Sequence, residues 1–368
     1  MCLSNNRYPQ TAIKFTDTIL LGLEVEVDGK VEHVIGYYNK VAGKNGAVAD
    51  GLLSSSAAVA VDNEAPQLLS GKPVRRGSRP MSLTAPRTRR GNSGGDDFDW
   101  NTPDQPGKPA TIAVGNAMLI AVPATPGTVT GKSLIPVSDY PNFMQDYARA
   151  VGPRTLSRGG LRRGGMLGGA KSVEVVKGFD KGTYDVVIAG SAKAIAGAIE
   201  QVDAAKRPII NEELYAKLDK LYPKWTFVLF CFAEESAAKA GCAMLRYQPM
   251  DKFAHFLYLP GLDGHNGDVE TGDVELNHTL VVGSCKMSAS AAARDVDFRD
   301  AKFKTDLPFM VSRVIGKIIP AGTKVPQGDF LFKLDELRAG TFRARRVLPP
   351  GWTKVYGKST AKPFYIEG

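Results

Sequence analysis

A cysteine stands at position 2 of this 368-residue chain, directly behind Met1. A residue this small permits removal of the methionine, which would leave one residue carrying both a thiol and a free α-amine. The amine, with an ordinary pKa of about 8, can take the thiol proton directly or through water. Such a nucleophile carries its own base, which suits a chain with four histidines, none of which the sequence assigns to a cysteine. The other cysteines, Cys231, Cys242 and Cys285, lie far apart with no Cys-x-x-Cys pair, so reduced thiols are expected rather than a disulfide framework. Cys231, inside Trp225-Thr-Phe-Val-Leu-Phe-Cys-Phe, reads as a small buried hydrophobe.

A second constellation gathers Asp263, His265, Asp268, Asp273, Glu275 and His278. Imidazole and carboxylate are the ligand types of zinc and manganese. The spacing matches no specific metal motif, however, and it lacks the alternating oxygen ligands and twelfth-position glutamate of a calcium loop. Two glycines with Asp and Asn are what a turn between strands requires. The expectation is a loop whose Asp263 and His265 face a substrate, with no metal and no cofactor. Gly164-Gly-Met-Leu-Gly-Gly-Ala-Lys lacks the Gly-Lys-Ser/Thr end of a phosphate loop.

The opening Met1-Cys2 resembles the start of the N-terminal nucleophile hydrolases, the group holding choloylglycine hydrolases and class II glutamine amidotransferases. That resemblance implies an αββα sandwich in which the terminal cysteine attacks a non-peptide amide while an asparagine helps hold the oxyanion. Carried onto this chain, Cys2 is the nucleophile and Asn39 or Asn116 the amide donor, since both end or interrupt apolar strands that can aim a side chain rigidly. Arg7 and Asp17 would stand for the early Arg and Asp of choloylglycine hydrolases. Leu3-Ser4 departs from the Gly-Ile that follows the cysteine in the amidotransferases.

These residues need a scaffold, and the composition supplies one. With 43% apolar, 23% charged and 8% aromatic residues, the chain reads as a folded protein, and whole-length disorder is excluded. The apolar run from Thr18 is stopped by Glu24 and Glu26, so no membrane helix is expected. The start lacks the zones of a secretory signal, and a cytoplasmic location, or an intracellular stage of a viral or phage cycle, is expected. Lys and Arg number 47 against 38 Asp and Glu, a formal charge of +9. The excess is concentrated in Lys72, Arg75, Arg76, Arg79, Arg87, Arg89 and Arg90, in Arg154, Arg158, Arg162 and Arg163, and in Arg343, Arg345 and Arg346. Basic loops of this kind attract phosphate or carboxylate surfaces, nucleic acid among them. The simpler reading is a solvated loop with counter-charges close by; contacts between subunits are the alternative.

Strand-like runs at 11–23 and 31–38 flank Asp28-Gly29, a hairpin signal. Residues 41–112 show no sustained period, apart from a short apolar run at 57–61, and read as a flexible insertion between the hairpin of 1–40 and the main body, 113–368, which forms one domain with it. Within that body, 111–123 reads as a buried strand interrupted near Gly115, and 141–151 as a short helix behind Asp139. Runs 172–179 and 183–189 flank Asp180-Lys-Gly as a second hairpin. Ser191 and Asn211 cap two helices. Strands are expected at 225–232, 243–248, 255–259, 274–282 and 330–334. Residues 236–241 read as a short helical link, and 307–318 do not resolve into helix or strand. Helices grouped between strands predict an α+β fold with mainly antiparallel sheets. Two functions fit: an amidohydrolase built on Cys2 acting on a small amide, or a non-enzymatic structural or assembly protein whose basic loops contact its own subunits or nucleic acid.

Overall fold

The computed structural model describes residues 15–41, 115–152, 173–233, 236, 240–262, 268–269, 271–290, 292–358 and 364–367, with backbone alone at 15–17, 40 and 41. The chain divides into two units, Met1–Ala49 with Ala113–Gly368, and Asp50–Ile112; every described residue belongs to the first. The insertion from 42 onward and the Gly-Arg loop therefore lie outside the described residues, as does half of the 236–241 link, residues 237–239.

Strands β1 (Phe15–Val27) and β2 (Lys30–Val41) form the expected N-terminal hairpin. Its turn is possible because Asp28 and Gly29 both take left-handed angles, φ 50° and 74°, which match the twist of the flanking strands. Strand β3 (Asn116–Val122) follows, then helix α1 (Phe143–Val151), β4 (Val173–Phe179), β5 (Tyr184–Ala189), α2 (Ala192–Ala198) and α3 (Glu212–Leu221). Next come β6 (Thr226–Phe232), β7 (Cys242–Tyr247), β8 (Phe256–Leu259), β9 (Asp273–Ser284) and β10 (Arg294–Asp295). The chain closes with α4 (Ala301–Asp306), β11 (Arg313–Pro326), β12 (Asp329–Lys333), α5 (Leu334–Arg338), β13 (Arg343–Val347), α6 (Trp352–Tyr356) and β14 (Phe364–Glu367).

These strands build three sheets, ordered β10-β11-β9-β1-β2-β7, β14-β13-β12-β8 and β3-β6-β5-β4. Every pairing is antiparallel except β1 with β9, so the α+β, mainly antiparallel expectation holds. Ser191 caps α2 through the amide of Ala194 at 3.1 Å, and Asn211 caps α3 through that of Leu214 at 3.3 Å. The cap of α1 is Asn142 rather than Asp139, whose carboxylate instead accepts from the Lys181 ammonium.

The six-stranded sheet is buried on both faces, and period two decides which side chain goes where. Ile19, Leu21, Leu23 and Val25 of β1 join Val34, Met244 and Val281 in one core, covered by Phe143, Met144 and Tyr147 of α1 and Phe303 of α4. Leu20, Ile35, Tyr37, Leu245, Leu280 and Val282 face the opposite core, which also holds β3, β5, β6 and the β8–β12 pair. Gly22 belongs to that second face. A Cβ there would sit 2.8 Å from Leu259 Cδ2, so glycine is what lets β8 press against β1.

Asp329, at the start of β12, ties that second core together. Its carboxylate is buried and accepts from the amides of Gly261 and Leu262 at 2.9 and 3.1 Å and from the Tyr222 hydroxyl at 2.7 Å. Burial pushes its pKa up, against the pull of those donors. Shape and acceptors matter here more than charge. Asp329→Asn should therefore cost under about 1 kcal/mol, whereas Asp329→Ala, which strands three buried donors, should cost about 3 kcal/mol or more by urea unfolding. Equal losses from the two changes would contradict this account.

Candidate binding cleft

One end of the six-stranded sheet opens into a cleft of about 800 Å³. The turn between β1 and β2 brings Glu26, Val27, Asp28 and Gly29; the end of β9 brings Ser284, and Cys285 and Met287 follow it. Asp295 of β10, Lys304 of α4 and the stretch Pro308 to Arg313 that leads into β11 complete the lining. The volume falls within the range of small-molecule and peptide sites. Glu26 and Asp28 are exposed at the hairpin tip and make an acidic rim, while Arg313 is held by Asp295 at 3.1 Å.

Lys304 is different from these surface charges. Asp300 caps α4 by accepting the amide of Lys302 at 2.9 Å, and the short helix then turns Phe303 and Lys304 inward. Lys304 is only 5% exposed. Its ammonium donates to the Met310 carbonyl and stands 5.8 Å from the centre of the Phe298 ring. No described carboxylate pairs with it. Burial holds its pKa below the ordinary lysine value.

Behind the cleft lies a buried ion pair. Glu24 falls on the same face of β1 as Leu20 and Gly22, so period two drives a carboxylate inward. It is wholly buried and takes two hydrogen bonds from the Arg338 guanidinium of α5, Nε to Oε2 at 3.1 Å, and one from the Ser284 hydroxyl. Burial pushes the Glu24 pKa up, but the bonds from Arg338 and Ser284 outweigh it and hold the carboxyl below the usual range. Opposite Glu24 in the β1–β2 register sits His33, also fully buried, with neither ring nitrogen hydrogen-bonded. Burial lowers its pKa to about 4, against the attraction of Glu24.

The residues singled out from the sequence are distributed differently. Cys2, Arg7, Asp263 and His265 lie outside the described residues, and so does the side chain of Asp17, whose backbone runs in β1. Asn39 is buried on β2, its side-chain Oδ1 accepting the Thr18 hydroxyl at 2.7 Å and its backbone N–H donating to the Gly241 carbonyl at 2.9 Å. Asn116 opens β3, paired with Phe232 in another sheet. Neither asparagine lines the cleft. Cys231 is buried as expected, and burial pushes the thiols of Cys231 and Cys242 above the ordinary cysteine value, while partial desolvation and the nearby Glu24 carboxylate raise that of Cys285, whose residue is otherwise exposed. Asp268 accepts Lys217 Nζ at 2.7 Å. Among the described residues no group of three or more His, Cys, Asp or Glu is placed to hold a metal ion, and no described helix is long and apolar enough to cross a membrane.

Neither the structural role of Glu24 nor Lys304 was anticipated from the sequence. Glu24 had a signal, a carboxylate at an inward position of an alternating strand. Lys304 had only Asp300 as a helix cap.

No family model matches the chain, and no curated protein matches it. Among solved structures, a mutated baculovirus P35 after caspase cleavage is similar over 87% of this chain and 91% of that one, at 11% identity and a TM-score of 0.33. That likeness is too loose to assign a shared fold.

Proposed function

We propose that this chain is a non-enzymatic assembly protein that binds other polypeptides, its own copies foremost, through the cleft at the end of the six-stranded sheet. The observation that carries the reading is the cleft itself: open, about 800 Å³, with an acidic rim at Glu26 and Asp28 on a chain whose formal charge is +9. An acidic rim on a basic protein is complementary to the basic surface of a second copy, such as the exposed Arg343 and Arg345 of β13. The raised thiol pKa values and the neutral buried His33 suit recognition more than bond breaking. Sedimentation velocity over a concentration series tests this. Association should weaken with salt and fall in a Glu26→Lys, Asp28→Lys variant that keeps its fold. A sedimentation coefficient independent of concentration, salt and these substitutions would sink the reading.

The amidohydrolase reading draws support from one feature, the rigid anchoring of Asn39 by Thr18, which suits an amide donor aimed at an oxyanion. It predicts a mature chain lacking Met1, and labelling by an electrophilic amide probe that Cys2→Ser abolishes. Intact-mass spectrometry reads both, and retention of Met1 rules it out.

A further inference from the structure

A buried ammonium without a carboxylate is costly, because the charge loses water and gains only a carbonyl and a ring face in return. Lys304 is such a group, and it lines the cleft of about 800 Å³ at the end of the six-stranded sheet. One carbonyl uses one of its three N–H donors, and the walls beside it, Phe309, Met310 and Val311, are apolar. A long cationic side chain normally snorkels to water. Here Asp300 fixes the start of α4 and Phe303 is packed at 0% exposure one residue earlier, so the helix holds Lys304 inward.

We propose that Lys304 is a carboxylate-binding group at the floor of this cleft, and that the cleft takes a ligand ending in a single carboxylate behind an apolar segment. Charge complementarity selects the carboxylate. Beside Lys304 the apolar Phe309, Met310 and Val311 favour an apolar group next to the carboxylate, within a lining that Glu26, Asp28, Ser284, Asp295, Ser312 and Arg313 otherwise make polar, and Glu26 and Asp28 at the rim disfavour a second negative charge further out. The lowered lysine pKa agrees with a cation that has no counter-ion of its own. Two sources supply this chemistry: a free apolar acid, or the terminal carboxylate of a polypeptide. The inference rests on the cleft being a binding surface, not on self-association.

The probes are N-acetyl-leucyl-phenylalanine, its C-terminal amide, and 3-phenylpropionate, titrated into the full chain by calorimetry. The free dipeptide acid should bind about tenfold or more tightly than its amide, the worth of one charge-assisted hydrogen bond. Lys304→Gln should erase that preference and Lys304→Arg restore part of it. Comparable binding of phenylpropionate would point to a free acid, and binding of the dipeptide alone to a polypeptide end. A readout that needs no variant is the side-chain resonance of Lys304 in isotopically labelled protein, whose titration should move upward when the acid binds. Equal affinity for acid and amide, no saturable binding of either, or a Lys304 titration unmoved by ligand would overturn the proposal. An acid preference in a chain that sediments as a monomer would uphold Lys304 while removing the assembly reading, so the two fail separately.

Discussion

Replacing Arg338 by methionine should cost about 3–5 kcal/mol of folding stability, the loss expected when one partner of a buried ion pair is removed and the other is left behind. The size follows from who is buried. Glu24 has no exposed surface, while the Arg338 side chain keeps 32% of its own, so the guanidinium retains water and the carboxylate depends on it. Ser284 remains as a donor in the variant but cannot carry a full charge alone. Burial would then raise the Glu24 pKa with little to oppose it, and that gives a second signature. A carboxyl held low in the fold contributes stability above its unfolded pKa that is lost as pH falls through the folded value. In the variant the sign reverses, because the folded state now binds the proton more tightly, and the penalty should shrink as pH drops toward 5. Adding Glu24→Gln to Arg338→Met should recover much of the loss, since an uncharged pair no longer strands a charge. Urea unfolding of the two singles and the double at two pH values measures all of this. A single Arg338→Met loss below about 1 kcal/mol would show that Glu24 does not depend on it.

What the sequence revealed of this fold is what neighbours along the chain decide. The β1–β2 turn is written in Asp28-Gly29 because a two-residue loop demands left-handed angles that few residues accept. The caps of α2 and α3 are written in Ser191 and Asn211 because the side chain reaches only three residues ahead. Strand β11 was not legible. Gly316, Lys317, Pro320, Gly322, Lys324 and Pro326 interrupt its apolar pattern, and it exists because β9 lies beside it across a register that shifts between Ile319 and Thr323. Strands β10 and β13 are short and charged, β14 is only four residues long, and each needs a partner already in place. The cleft was illegible for the same reason. Its lining comes from the β1–β2 turn, the end of β9, α4 and the approach to β11, and no single stretch carries a motif. The ion pair behind it joins residues 314 apart in sequence. Cys2 shows the opposite limit, since a striking position in the sequence fixes no surroundings, and its own lie outside the described residues.

Between pH 6.5 and about 4, the protein should lose roughly 3 kcal/mol that a His33→Phe variant keeps. His33 faces Glu24 of β1, the Arg338 guanidinium of α5 and the Tyr247 ring of β7, the last edge-on at 5.7 Å. Glu24 favours the imidazolium and Arg338 opposes it, but burial is the largest influence, and the folded pKa falls to about 4. An unfolded chain protonates this histidine from about pH 6.5 downward. The folded chain does not follow until about pH 4, so the unfolded state binds more protons throughout the interval and stability declines as pH falls. The upper part of the window is diagnostic because the carboxyl of Glu24, held low by Arg338, adds its own acid loss only from the ordinary glutamate range downward, as the unfolded chain takes up that proton. Phenylalanine keeps an edge-on ring against Tyr247 and removes two ring nitrogens that have no hydrogen-bond partner. The variant should therefore be no less stable than the parent at pH 7 and more stable at pH 5. Folding free energies from urea titrations across the interval provide the comparison. If the two proteins lose stability in parallel from pH 7 to 4.5, His33 is not the group that titrates, and the pocket around it must admit water that these side chains leave no sign of.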